Sequence, residues 1–441
     1  MTNGVSEFAL SRAWGAGAFP GPFHTADGRA VEIVHRGAWS NGIGPDFIDA
    51  MLLFDGRELR TGAVEMHLTA GGWTEHGHHL DSAYNAVILH VVLDDDGAIV
   101  RRADGVAPPL VVVDSARIPP ADGCTTADWR RFGVGPCAED LARSRPDRIR
   151  RLLWDLGDRR LAARSARLSG LLSVVPPGEA LWTELLDGLG YAANRAPMRA
   201  VAAALPLAVA EAALAAARPE TRLPVARALL LGVAGFLPLA PTDAAASSFS
   251  PDDVTAIERQ WRVSGGPWID ETLPPTSWAR ARVRPANHPA ARLAAAAALL
   301  VAAHPRGGLL ATLSDTLRAG GEIARALCVF AAPPASPGIG ADRATEIVAS
   351  ALLPFAFAYA DWSDDTALAD AAGALWEAMP APAATSVTRR AMRQVAGEAR
   401  LGPIGARGAQ GLIHLDATLC APRRCFECPI AQCAIAAEEQ G

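Results

Sequence analysis

Lysine is missing altogether: all 41 basic side chains in the 441 residues are arginine. Any cationic contact with phosphate must therefore use the planar, permanently charged guanidinium. An excess of positive charge is missing too. The 47 acids outnumber the bases and leave a net charge of -6, which argues against indiscriminate adhesion to nucleic acid while still permitting local patches. Long hydrophobic runs are also lacking. Stretches such as Ala294 to Ala303 fall well short of the roughly 20 apolar residues that span a bilayer, and no cationic segment with an apolar core and cleavage site opens the chain. Neither a membrane partner nor a secretory signal is expected. Cysteine is sparse, with seven in all, yet four stand in the last 22 residues. In a chain of this length such crowding reads as a metal site in a reducing compartment rather than a secreted disulfide framework. A cytoplasmic protein is expected.

Half of the residues are hydrophobic and a fifth charged, the balance of a globular chain. The length allows two or three domains, each with its own core.

The chemistry concentrates between Gly44 and Val92. Alternation over Ala63-Val64-Glu65-Met66-His67-Leu68 predicts a strand with Glu65 and His67 on one face and Val64, Met66 and Leu68 on the other. Asp55-Gly56 lies between two extended runs and predicts a hairpin that returns Asp46 towards Glu65. The apolar run Val87 to Val92 reads as a strand buried on both faces, as in sheets covered by helices. Two carboxylates and a third polar group converging at a small sheet form an oxygen-rich site suited to Mg²⁺ or Mn²⁺.

Pro45-Asp46 followed by Glu65-x-His67 resembles the PD-(D/E)xK nuclease-like superfamily, with His67 where that pattern usually has lysine. The resemblance implies that Asp46 and Glu65 hold the divalent ion and that His67 helps to activate the attacking water. The wider string (Gly44-Pro45-Asp46-Phe47, Val64-Glu65-Met66-His67, Trp73-x-x-His76-x-His78, Asp81-x-x-Tyr84-Asn85, Leu89-His90-Val91-Val92) is similar to an uncharacterised bacterial family of about this length. Arg284-Pro285-Ala286-Asn287-His288-Pro289 and the cysteine-rich tail fit the same family, which supplies no established activity.

Around this stretch, Ser6 to Trp14 predicts a short helix with Glu7 as an ordinary helix-start charge, although in nuclease-like folds a first-helix acid sometimes joins the site. The loop His35 to Gly42 offers Arg36 and Asn41 as candidate substrate contacts. The cluster His76-Gly77-His78-His79-Leu80-Asp81 is out of register with the H-x-H-x-D-H signature of metallo-β-lactamase-like hydrolases, since Leu80 stands where Asp is needed and Asp81 where His is needed. His76, His78 and Asp81 remain available to orient a phosphate, a water or a metal ligand. His90, inside an apolar strand, reads as a hydrogen-bonded core histidine.

Nine arginines against three acids from Arg143 to Arg167 form either an electrostatic track for a phosphate backbone or a solvated helix face with i,i+4 ion pairs. From 170 to 400 the chain is rich in alanine and leucine with recurrent prolines, which predicts a stack of short helices. Cys124, Cys137 and Cys328 read as buried thiols.

The tail Cys420-x4-Cys425-x2-Cys428-x4-Cys433 offers four thiolates, enough for tetrahedral Zn²⁺ or a 4Fe-4S cluster. Its context, Arg423-Arg424-Cys425-Phe426-Glu427-Cys428-Pro429, resembles the cluster loop of helix-hairpin-helix DNA glycosylases. The expected architecture is an α/β domain over residues 1–123 with a small mixed sheet flanked by helices, restriction-endonuclease-like. A helical domain follows over 124–410, and a metal-clipped tail over 411–441. The expected function is a metal-dependent nuclease; the alternative is a non-catalytic nucleic-acid-binding or scaffold protein that retains a decayed site.

Overall fold

The computed structural model describes residues 5–40, 44–118, 135–191, 193–280, 283, 287–320, 322–332 and 338–438. Asn41, Cys124, the Pro119-Pro120 boundary and Arg284-Pro285-Ala286 lie outside the described residues. The chain divides into two compact units. Residues 1–152, 385–402 and 412–441 make the first, and 153–384 with 403–411 make the second. The expected boundaries at 123/124 and 410/411 therefore differ from the observed division. The reason lies in the helix Ser386–Ala396, which the first unit reclaims by hydrogen bonds. Gln394 Nε2 donates to the Gly135 carbonyl at 2.7 Å, and the Cys137 and Ala138 amides donate to Gln394 and Val395 carbonyls at 2.7 and 2.9 Å.

The first unit is built on a seven-stranded mixed sheet. Its strands are β1 (Phe23–His24), β2 (Ala30–His35), β3 (Ala38–Trp39), β4 (Phe47–Phe54), β5 (Glu58–Thr69), β6 (Val87–Asp94) and β7 (Leu110–Val112). The order is β1-β2-β4-β5-β6-β7, with β3 also paired to β4. Pairings up to β4–β5 are antiparallel, whereas β5–β6 and β6–β7 are parallel. A parallel pair needs a crossover. Here it consists of the short helix α2 (Gly72–Glu75) and two 3₁₀ turns. The helix α1 (Glu7–Gly15), capped by the Ser6 side chain, packs against β5.

The predicted hairpin is present. Asp55 and Gly56 both have positive φ, 52° and 67°, as the tight turns matched to strand twist require. Phe47 stands opposite Val64 and Phe54 opposite Glu58. An extra residue bulges between Phe47 and Ala50, with Asp49 in the left-handed region. The run Val87 to Val92 is the inner strand expected of it, paired on both edges and buried along most of its length.

The second unit is helical. Its prolines mostly start helices rather than interrupt them: Pro177, Pro241, Pro251 and Pro289 each open one, where a missing amide hydrogen costs nothing. The alanine-rich helix Pro289–Ala303 is buried nearly all round and packs closely on Arg222–Val233, since methyl side chains let neighbouring backbones approach. No single described helix is long and apolar enough to cross a membrane.

Trp182 lies fully buried in this core, and its indole N–H donates to the Leu205 carbonyl at 3.0 Å. Trp182→Ala should lower unfolding stability by about 3–5 kcal/mol in denaturant titrations. Val174→Ala, at an exposed site, should stay within about 0.5 kcal/mol.

Candidate functional site

The hairpin does more than bring Asp46 near Glu65. It ties each to the other's strand. The Asp46 amide donates to Glu65 Oε2 at 2.8 Å, and the Met66 amide donates to Asp46 Oδ2 at 3.1 Å. Glu65 and His67, two apart on β5, share a face, and both are buried, at 5% and 0% exposure. Parallel pairing sets His90 of β6 opposite Glu65, and His67 Nδ1 lies 2.8 Å from His90 Nε2.

The crossover from β5 to β6 brings two more imidazoles. His76 ends α2, and Gly77, at φ 77°, turns the chain before the 3₁₀ turn that starts at His78. A β-carbon at Gly72 would lie 2.8–2.9 Å from the His67 side chain, so the absent side chain is what lets α2 close over β5. The His67 ring is centred 5.0 Å from His76 and 5.1 Å from His78. His78 stacks on Tyr84 with centroids 3.8 Å apart.

One ligand atom from each of His67, His76 and His78 lies within 4.8 Å of the other two. Glu65 Oε1 stands 3.1 Å from His78 Nε2 and 3.8 Å from His67 Nε2. Neither nitrogen is aligned for a hydrogen bond, and both are buried. Buried polar atoms without hydrogen bonds are rare and call for an explanation. A divalent ion held by three imidazoles and one carboxylate is one. For His67 Nε2 to face an ion, the ring proton must sit on Nδ1 and be donated to His90 Nε2, the usual outer contact that fixes a ligand's tautomer.

Electrostatics agree with a site built from neutral groups. Burial, then His90, His78 and His76, pushes the His67 imidazole down to about 2. Burial likewise brings His90 down to about 4 and lowers His78. Burial pushes the Glu65 carboxyl up to about 8, against the Asp46 amide and with help from Glu7. Each shift has the sign that desolvation gives a group kept from its charged form.

Asp46, Glu65, His76, His78, Tyr84 and Glu7 line one cavity of about 200 Å³. Of the two readings the sequence allowed for Glu7, an ordinary helix-start charge and a first-helix acid that joins the site, its place in this cavity favours the second. Only the pairing of α1 with β5 places it here, and no local pattern signals that. Arg36 is partly buried, donates from Nη2 to the Phe19 carbonyl at 3.2 Å, and is not among the cavity residues. Asp81 is exposed and accepts from the Ala83 amide at 2.8 Å, so it caps a turn beside the site.

Elsewhere, Arg143, Arg150, Arg164 and Arg167 pair with acids, and Arg160 donates to Gln410. Arg145, Arg148, Arg151 and Arg159 remain exposed. In the tail, Cys420 ends the π-helix Asp416–Cys420, Cys425 begins the 3₁₀ turn Cys425–Glu427, and Cys428 precedes the helix Pro429–Glu438 that carries Cys433. Arg424 is taken by Glu427.

The chain thus combines a mixed-sheet unit bearing a histidine and carboxylate cavity with a mainly helical region. Residues 7–319 match the family described as a protein of unknown function, DUF2851, and the chain belongs to that family. No curated protein and no solved structure matches it.

The Glu65 shift carries a signed prediction. A carboxyl raised in the fold stabilises at low pH and loses that contribution as pH rises through its folded value. The depressed imidazoles lose theirs only below their ordinary value near 6.5. In metal-free protein the melting temperature should therefore fall between about pH 6.5 and 8.5, and Glu65→Gln should flatten that fall. Added Mn²⁺ or Zn²⁺ should raise the melting temperature of the wild type and leave Glu65→Gln nearly unmoved. Equal slopes in the two proteins would refute the assignment.

Proposed function

We propose that this protein is a metal-dependent phosphodiesterase acting on nucleic acid. The observation that carries the reading is the convergence of His67, His76 and His78 with Glu65 beside a cavity that also holds Asp46 and Glu7. The Pro45-Asp46 and Glu65-x-His67 pattern, with Asp46 at the entrance to β4 and Glu65 and His67 on the adjacent β5 of a mixed sheet, supports a restriction-endonuclease-like core and hence a phosphodiester substrate. Imidazole donors favour a borderline ion such as Zn²⁺ and are better tolerated by Mn²⁺ than by Mg²⁺, which prefers an oxygen shell.

His67, His76, His78 and Glu65 would hold the ion, and the Asp46 carboxylate would stay at the cavity wall, fixed by the Met66 amide. When bound, the ion supplies Lewis acidity at the phosphoryl group and lowers the pKa of water. His67, fully buried and hydrogen-bonded to His90, is suited to ligation rather than to taking a proton from solvent. Glu7, facing the cavity, is the group placed to accept one. Tyr84 keeps its proton and orients His78 by stacking. Arg145, Arg148 and Arg151 are available to bind phosphate.

Incubation with Mn²⁺ or Zn²⁺ and labelled single- or double-stranded DNA or RNA should yield cleavage. Glu65→Gln and His78→Ala should each reduce the rate by at least roughly a hundredfold. Binding without cleavage, unchanged in those variants, would favour the non-catalytic scaffold instead. Replacing Arg145, Arg148 and Arg151 by alanine should weaken nucleic-acid binding irrespective of sequence. The slope of log affinity against log salt should become shallower by about 0.7–0.9 for each arginine replaced.

A further inference from the structure

Four cysteines in the tail invite the conclusion that they alone form the metal site. The fold brings in a fifth from nearly 300 residues upstream. Cys137 is pinned by backbone hydrogen bonds to the C-terminal end of the helix Ser386–Ala396, at Gln394 and Val395. That helix packs on the π-helix Asp416–Cys420, and Arg390 clamps Asp416 through Nε at 3.0 Å and through Nη2 at 2.6 Å. The π-helix ends on Cys420. The turn Cys425–Glu427 packs against it, with Cys428 next in sequence. All of these segments belong to one compact unit.

We propose that Cys137, together with Cys420, Cys425 and Cys428, ligates a polynuclear iron–sulfur cluster, and that Cys433 is not a ligand. The inference rests on the tail binding metal and is independent of the hydrolytic reading.

The surroundings of the thiols support this set. Burial pushes the Cys137 thiol well up, and the thiols of Cys428, Cys420 and Cys425, in that order, add to the effect. Cys420 is pushed up to about 12 by burial and then by Cys428 and Cys425, and Cys425 to about 11 by burial and then by Cys428. This agrees with the packing, which sets Cys137 and the π-helix ending at Cys420 on one helix, with the turn at Cys425 against that π-helix. Such thiols are inert as free groups and ionise when a metal takes the place of the proton.

Spacing discriminates between ions. Four thiolates on a single zinc, each at about 2.3 Å, must stand within about 4 Å of one another. Among the described residues no three thiols have all their sulfurs within 4.8 Å of one another. A cluster in which each thiolate binds its own iron accommodates the wider spacing. The tail motif then owes its fourth ligand to the fold rather than to its last cysteine. Cys433 lies on the helix Pro429–Glu438, more than a turn beyond Cys428.

The test is to purify the full chain anaerobically and measure iron, sulfide, zinc and the visible absorption band in wild type and in single serine variants. Cys137→Ser and Cys420→Ser should lose iron, sulfide and the band together, while Cys433→Ser and Cys328→Ser keep all three. Far-UV circular dichroism separates ligand loss from misfolding. If Cys137→Ser is insoluble, Cys433→Ser decides alone by its electron paramagnetic resonance spectrum, because a site made only of the tail cysteines cannot keep the wild-type spectrum once one of its four thiolates is replaced. Full iron and a wild-type electron paramagnetic resonance spectrum in reduced Cys137→Ser would overturn the proposal, as would loss of iron in Cys433→Ser equal to that in Cys420→Ser. Zinc without iron in the wild type would overturn the cluster, and no bound metal at all would overturn the tail reading itself.

Discussion

A carboxylate taken out of water must be neutralised, paired or bound to a cation, and the first unit is arranged around that constraint at Glu65. Its two oxygens are divided between tasks. One takes the Asp46 amide and so fixes the register at the mouth of the hairpin, while the other lies among imidazole nitrogens that make no hydrogen bond. Leaving an ionised carboxylate in such a place is costly, and the raised affinity of Glu65 for its proton expresses that cost. A site made of a neutral acid and neutral imidazoles has little charge to repel an arriving cation, and it gains the most from one. The same arrangement is poor as a purely structural core, because apolar side chains of equal volume would fill it without unsatisfied atoms.

Much of this was legible in the sequence where the signal was local. Alternation placed Glu65 and His67 on one face, Asp55-Gly56 announced the turn, and the apolar run at Val87 to Val92 announced an inner strand. Each depends on periods and turn residues that act over a few positions. What stayed hidden required tertiary placement. Glu7 looks like any acid in a first helical turn, and only the docking of α1 on β5 gives it a cavity to face. His76 and His78 were visible as a cluster. Their convergence on His67 depends on Gly72 lacking a side chain and on Gly77 adopting a left-handed backbone, neither of which names its target. The return of 385–402 and 412–441 to the first unit depends on hydrogen bonds to Gly135, Gln394 and Val395 carbonyls, which carry no sequence code.

The arginines show the opposite limit. Nine in a short span look like a basic stripe, yet acids and carbonyls claim more than half of them. Composition overstates the charge available to a partner, because an Arg–carboxylate pair presents little net field. What remains for any anionic partner is a smaller set on the exposed face, a more modest electrostatic contribution than the count implies.

Histidine in place of lysine at position 67 changes what the site can be, beyond one substituted base. An ammonium at that place would carry a fixed charge beside the ion and would need water nearby to exchange protons. A fully buried imidazole bonded to a second buried imidazole has neither property; it has one lone pair, aimed by the bond on its far side. On the proposed reading the residue therefore moves from proton transfer into the coordination sphere, and proton transfer passes to Glu7 across the cavity. That shift explains why the two histidines of the crossover are needed at all. Once His67 binds rather than exchanges protons, a nitrogen-rich shell requires further imidazoles to complete it, and the connection between β5 and β6 is the nearest backbone that can deliver them.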